Sequence, residues 1–163
     1  MSVILEEKKE DDLLYVYSIL RRLGGGEVNT FEQRLKSQKI QYFAQLFGLS
    51  LKYEYNLYLK GPYSPSLAHD LYFIKEKGIE PIKFDFAVTR LAEKFTALSE
   101  YLEDMNGRQM ELVSTYHWLR KVATLNKVEA EQRLILLKEA NEKDVIYANL
   151  KFQEYERIKK SFE

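Results

Sequence analysis

One stretch of this sequence alternates apolar and polar residues over its whole length, and most of the rest follows helical spacing. One face of residues 51–59, LKYEYNLYL, carries Leu51, Tyr53, Tyr55, Leu57 and Leu59. Such alternation predicts a half-buried strand. The best candidate for a second strand is residues 79–86, IEPIKFDF, where Pro81 suits an edge position. Two short strands cannot form a large sheet, so the core is predicted to be mostly helical.

Apolar residues recur every three or four positions through the remainder of the chain. The predicted helices cover about residues 11–23, 31–47, 65–77, 86–105, 108–124, 128–138 and 142–160. Thr30 with Gln33 matches a capping box, Ser64 before Pro65 matches a helix start, and Asn141 is a candidate cap. We therefore predict a mainly α fold with a small two-stranded β element, and a winged-helix-like arrangement is one option for it.

Domain organisation follows from short turns and from the lack of repeats or low-complexity tracts. We predict one domain over residues 1–163, in which residues 10–125 form the core and the C-terminal helices in residues 126–163 pack on it. The last helix carries an apolar stripe of Val145, Ala148, Phe152 and Tyr155. This stripe either packs onto its own domain or forms the seam of a homodimer.

The charge of the chain is balanced, with 25 basic and 25 acidic side chains. The first 82 residues carry 11 of each and the other 81 carry 14 of each. A protein that binds DNA by neutralising phosphates usually has a basic excess in some region, so a protein partner is favoured over nucleic acid.

Several features predict a cytoplasmic protein that does not associate with a membrane. The chain has no Cys, which fits a reducing compartment and excludes disulfides and thiolate metal sites. Its first residues, MSVILEEKKEDD, lack the basic start and apolar core of a signal peptide. No apolar run approaches the roughly 20 residues that a membrane helix needs.

The pair His69-Asp70 invites a metal-site interpretation, since imidazole and carboxylate can share a divalent ion. A metal site usually needs three or four protein ligands, and His117 is the only other histidine. The sequence also lacks a recognisable nucleophile motif, because Ser64 is better explained as a helix cap. We therefore expect no metal, no cofactor and no catalytic residues, and predict that the chain is not an enzyme.

Five tyrosines lie within residues 53–72. Tyr53 and Tyr55 are expected to pack into the core, whereas Tyr58 and Tyr63 either join them or anchor a partner from the surface. Base stacking on these rings is a third interpretation, which the balanced charge makes less favourable. The candidate partner-binding residues are Tyr58, Tyr63, Ser64, His69 and Asp70.

Arg34, Lys36 and Lys39 form the densest basic cluster and are the candidate nucleic-acid contacts. The alternative is that these residues form an ordinary solvated helix face.

Residues 37–78, SQKIQYFAQLFGLSLKYEYNLYLKGPYSPSLAHDLYFIKEKG, match a recurring pattern of a helix, a strand, Gly-Pro-Tyr-Ser and a second helix. This pattern resembles the YwgA-like, phage-associated family and, more distantly, the Panacea antitoxin domain. Residues 111–122, ELVSTYHWLRKV, are similar to a second stretch of that family. The matching motif positions are Lys39, Tyr42, Gly61, Pro62, Tyr63, Ser64, Leu67, Asp70 and Leu71.

The resemblance to the Panacea domain implies an antitoxin that neutralises its toxin by direct binding, and it assigns no catalytic role to the motif positions. Taken with the lack of catalytic motifs, it predicts a non-catalytic protein-binding module, antitoxin-like or adaptor-like, with a toxin as one candidate partner. The alternatives are a DNA-binding regulator of the winged-helix type and an enzyme whose site the sequence does not reveal.

Overall fold

A computed structural model of the chain describes residues 2–49, 52–83, 85–86 and 89–163, with the side chains of residues 2–9 and 89 excluded. Over this part of the chain there are seven helices and one hairpin. The helices are α1 (Ser2–Arg22), α2 (Phe31–Leu46), α3 (Pro65–Lys77), α4 (Thr89–Glu103), α5 (Gly107–Lys121), α6 (Lys127–Lys138) and α7 (Glu142–Ser161). The strands are β1 (Asn56–Tyr58) and β2 (Gly61–Tyr63). This confirms the predicted mainly α fold with a small two-stranded element.

The first strand, β1, lies within the predicted strand at residues 51–59, but its partner is not the predicted one. β1 and β2 pair antiparallel, with Leu57 opposite Pro62, and the chain turns at Leu59 and Lys60. The prediction of a second strand at residues 79–86 was wrong, because its described residues, 79–83 and 85–86, lie outside any strand. Gly61 has φ +97°, a left-handed conformation that glycine adopts easily, and this allows the early turn back.

The predicted helix starts depend on local hydrogen bonds, and the structure confirms them. Thr30 and Gln33 form a complete capping box at α2. Ser64 accepts a 3.3 Å hydrogen bond from the Leu67 N–H while Pro65 occupies the first turn of α3. Asn141 caps α7. Each cap satisfies a backbone N–H that the helix itself leaves unpaired.

The centre of the fold is α5, which is apolar on opposite sides and packs against α2, β2, α6 and α7. Met110 and Val113 belong to the larger core, which α1 to α4 also build. Leu112, Tyr116 and Leu119 belong to a second core with α6 and α7. α5 therefore connects the C-terminal helices to the part of the fold that carries the hairpin.

The apolar stripe of α7 packs against its own chain. Phe152 lies in the second core, and the ring of Tyr155 lies 5.6 Å from that of Phe47 in the larger core. The exposed apolar residues of α7 are instead Ile146 and Leu150. A homodimer through α7 would thus use these two residues and not the Phe152–Tyr155 stripe. Among the described helices, none has the length and apolar character needed to cross a membrane.

We predict that Gly61→Ala destabilises the fold more than alanine at other glycines. A Cβ at position 61 would lie 2.9 Å from Thr115 Oγ1, in addition to the strain of φ +97°. We expect a loss of about 3 kcal/mol in the free energy of unfolding, measured by urea denaturation.

Two controls separate the causes. Gly78 has a positive φ but open space where a Cβ would lie, so Gly78→Ala should lower the free energy of unfolding by only about 1 kcal/mol. Gly107→Ala has neither constraint and should stay within about 0.5 kcal/mol of the wild type. Equal effects at positions 61 and 78 would contradict the close approach of Thr115.

Candidate binding site at the hairpin

A buried lysine from α2 holds the hairpin against the helical core. Lys39 is only 2% exposed, and its Nζ donates a 2.7 Å hydrogen bond to the carbonyl oxygen of Pro62. A Cβ at Gly61 would lie 3.2 Å from this Nζ, so the absence of a side chain at Gly61 leaves room for the ammonium. The hydrogen bond is charge-assisted, which makes it stronger than a neutral one.

A second buried lysine, at the end of α6, holds the turn of the hairpin. Lys138 is 8% exposed. Its Nζ donates a 2.6 Å hydrogen bond to the carbonyl oxygen of Leu59 and lies 3.1 Å from Glu111 Oε1. Arg108 then donates from Nη2 to the carbonyl oxygen of Lys138 at 2.6 Å. These contacts join the turn, the end of α6 and the start of α5.

The exit from the hairpin is fixed by one amide side chain. Gln38 donates from Nε2 to the carbonyl oxygen of Ser64 at 2.9 Å and accepts from the Ser64 N–H at 2.8 Å. This pair of bonds satisfies both backbone groups of a fully buried residue. Since Ser64 also caps α3, the same contact sets the direction in which α3 leaves the hairpin.

The burial of Lys39 has an electrostatic consequence. The pKa of Lys39 is lowered to about 8, mainly because the ammonium is buried; Glu111 partly offsets this effect, and Lys138 adds a smaller lowering of its own. The ammonium is therefore mostly charged at neutral pH but loses its proton well below the usual range for lysine.

The outer side of the hairpin exposes apolar side chains. Tyr58 is 49% exposed and Leu59, at the turn, is 86% exposed. The ring of Tyr58 lies 5.7 Å from that of Tyr63, edge to face. Tyr63 and the exposed Tyr72 of α3 line the same small groove. We call Tyr58, Leu59, Tyr63 and Tyr72 the aromatic face.

A cavity of about 570 Å³ opens beside the turn, between the starts of α2 and α5. Its charged lining residues are Glu32, Lys36, Lys39, Lys60, Arg108 and Glu111. Its other lining residues are Phe31, Leu35, Gly107 and Met110. We call it the cationic cavity, because its cations outnumber its carboxylates.

The candidate partner-binding residues separate into exposed and interior positions. Tyr58 is exposed and Tyr63 is half-buried, so both can be reached from solvent. Ser64 is fully buried as a cap, and its side chain is not on the surface. Asp70 accepts a 2.8 Å hydrogen bond from the Tyr53 hydroxyl, whereas the neighbouring His69 is exposed.

The candidate nucleic-acid contacts do not form one basic surface. Lys36 is exposed, but Lys39 is buried against the hairpin. Arg34 is half-buried and donates from Nη1 to the carbonyl oxygen of Val28 at 3.2 Å. Lys36 and Lys39 both line the cationic cavity, and Arg34 lines the groove beside Tyr63.

Neither histidine of the chain lies in a cluster of metal-ligating side chains. His69 Nδ1 lies 3.6 Å from Asp70 Oδ1. His117 is fully buried among aromatic rings, with the Tyr155 ring 4.6 Å away, and burial lowers the pKa of His117 to about 3. Within the described ranges, no group of three His, Cys, Asp or Glu residues could hold a metal ion.

Sequence reasoning missed the residues from the second half of the chain. Lys138, Glu111 and Arg108 reach the hairpin through the packing of α5 and α6, and no local pattern marks them. The available signal was Gly61-Pro62 itself, because glycine at a close contact leaves room for a neighbouring group.

Comparison of the chain with protein-family models, with curated proteins and with solved structures found no match. The resemblance to the YwgA-like family and the Panacea domain therefore stays a prediction.

We predict that Lys39→Met removes a rise in stability that the wild type shows at alkaline pH. The pKa of Lys39 is lower in the folded chain than the value of 10.5 expected in the unfolded chain. Above pH 8 the unfolded chain therefore binds more protons than the folded chain does. Stability then increases with pH, and the wild type should gain about 2 kcal/mol over the variant between pH 7 and 9.5.

Urea denaturation at a series of pH values measures this difference, and groups that both proteins share cancel from it. Lys75→Met, at an exposed position on α3, should follow the wild type. A constant difference between wild type and Lys39→Met over the whole range would show that Lys39 titrates normally.

Proposed function

We propose that the protein is a non-catalytic protein-binding module, antitoxin-like or adaptor-like, which binds its partner through the aromatic face. The observation that carries this proposal is the exposure of Tyr58 and Leu59 on a hairpin that is itself held rigidly. A fixed backbone loses little conformational entropy on binding. More of the free energy gained by burying its exposed apolar side chains therefore appears as affinity. Tyrosine is also enriched at binding hot spots.

Charge indicates the chemistry of the partner. Arg34 lines the groove beside Tyr63 and Tyr72, and Lys60 lies exposed in the turn next to Leu59. Cations at the rim of an apolar surface favour a partner that presents apolar residues flanked by acidic ones. The partner in this proposal is therefore a protein segment of that type, and a toxin neutralised by direct contact is one such partner.

The burial of Lys39 supports this function over the DNA-binding alternative. A duplex-binding surface needs several accessible cations, and of Arg34, Lys36 and Lys39 only Lys36 is exposed. The edge-to-face pair of Tyr58 and Tyr63 likewise resembles a preformed anchor for apolar side chains more than a flat platform for bases.

We predict that Leu59→Ala and Tyr58→Ala each weaken partner binding by about tenfold or more. A benzophenone amino acid in place of Tyr58 can crosslink the partner in cells and identify it. The purified partner is then titrated calorimetrically against each variant, at low and at physiological salt. Binding should weaken as salt increases, since the partner is acidic.

Leu136→Ala is the matched control, because Leu136 is a similarly exposed leucine, 77% accessible, on α6. Its affinity should stay within about twofold of the wild type. The aromatic face is not the binding surface if Leu136→Ala reduces affinity as much as Leu59→Ala. The same conclusion follows if the crosslinked partner binds Tyr58→Ala and Leu59→Ala with wild-type affinity.

A further inference from the structure

We propose that the cationic cavity is a binding site for a small organic phosphate, a phosphate monoester that carries an apolar or aromatic group. The proposal concerns the space between the start of α2, the hairpin turn and the start of α5. It does not depend on the function proposed for the aromatic face, whose side chains do not line this cavity.

The charge of the cavity favours a doubly charged anion. Lys36, Lys39, Lys60 and Arg108 line it, and no described ion pair involves Lys36 or Lys60. Two carboxylates also line the cavity, Glu32 and Glu111, and Glu111 lies 3.1 Å from Lys138 and 4.0 Å from Arg108. In a chain with no net charge, the lining of this cavity therefore carries a local excess of cations. A phosphate monoester is close to a dianion at neutral pH, so it matches this excess of positive charge better than a singly charged carboxylate does.

The inner wall offers hydrogen-bond donors in fixed positions. An ammonium has three N–H donors, and Lys39 uses one of them on Pro62, which leaves two for a ligand. Lys39 is almost fully buried, so its position is set by packing and not by solvent. A phosphate oxygen that reached this group would be shielded from water, which strengthens the electrostatic attraction.

The start of α5 adds to the same field. Gly107 lines the cavity at the first helical position, and beyond its chain neighbours and the backbone of its own helix no atom lies within 4 Å of the place where its Cβ would be. No acidic residue occupies the first turn of α5, and Asn106 caps the N–H of Gln109. The positive end of the helix dipole therefore faces an open approach beside Arg108.

The opposite wall is apolar, and it determines which group the phosphate of the ligand should carry. Phe31 is 55% exposed at the rim, and Leu35 and Met110 lie in the lining with it. A volume of about 570 Å³ falls in the range of small-molecule sites, and a bare phosphate ion would leave most of it empty. A ring or a short apolar group attached to the phosphate would contact Phe31 and fill that space.

Phenyl phosphate is the probe that tests this proposal, with phenyl sulfate as a monoanion of the same shape and inorganic phosphate as the dianion without the ring. Isothermal titration calorimetry at pH 7.5 and low salt should give a Kd for phenyl phosphate about tenfold or more below that of either comparison ligand. Equal binding of phenyl sulfate would overturn the preference for a dianion. Equal binding of inorganic phosphate would overturn the role of the apolar wall.

The double variant Lys36→Gln/Lys60→Gln should weaken phenyl phosphate binding at least tenfold. Both lysines are exposed, so the variant should keep the wild-type Tm. The matched control is Lys52→Gln/Lys75→Gln, which removes two exposed lysines that do not line the cavity. If both double variants lose affinity equally, the anion is attracted by net charge and not by this site.

A free organic phosphate and a phosphorylated protein side chain share the same chemistry, and a second ligand distinguishes them. A peptide of five residues with a central phosphotyrosine carries the same phenyl phosphate group on a chain. The proposal expects this peptide to bind at least tenfold more weakly than phenyl phosphate, because chain on both sides of the group obstructs entry beside Phe31 and Lys60. Tighter binding of the peptide would overturn the assignment to a free organic phosphate.

Discussion

Two buried ammonium groups that donate to main-chain carbonyls determine where the hairpin lies. Lys39 from α2 donates to Pro62, and Lys138 from α6 donates to Leu59. Removing an ammonium from water is unfavourable, and the hydrogen bond to a hairpin carbonyl offsets part of that cost for each lysine. Lys151 makes the same kind of contact in the α7 region, where its Nζ donates to the carbonyl oxygen of Tyr101 at 2.6 Å.

This arrangement gives the turn two different sides. The carbonyls of Leu59 and Pro62 face inward to the ammonium groups, while the side chains of Tyr58 and Leu59 are exposed outward. Lys60, the residue after Leu59 in the turn, lines the cationic cavity. The aromatic face and the cavity are therefore neighbours with separate chemistry, one apolar and open, the other charged and partly enclosed. A partner on one side and a small anion on the other would both contact the same rigid turn.

The sequence predicts local features of this fold well and distant ones poorly. The caps at Thr30, Ser64 and Asn141 depend on side chains within three residues, so a short pattern specifies them. The strand partner was predicted wrongly, because pairing depends on which segments the helices bring together and Gly61 permits an early turn. The burial of Lys39 was missed for a similar reason, since helical spacing marks it as polar and its interior contacts, with the carbonyl of Pro62 and the charge of Glu111, come from distant parts of the chain.

The most direct test of this account is native-state hydrogen exchange of residues 56–63 in Lys138→Met. If the ammonium groups hold the hairpin, its protected amides should exchange at least tenfold faster in the variant, while amides around Phe152 in the second core keep their wild-type rates. Unchanged exchange in the hairpin, or an equal acceleration throughout the chain, would contradict the claim that Lys138 holds the turn in place.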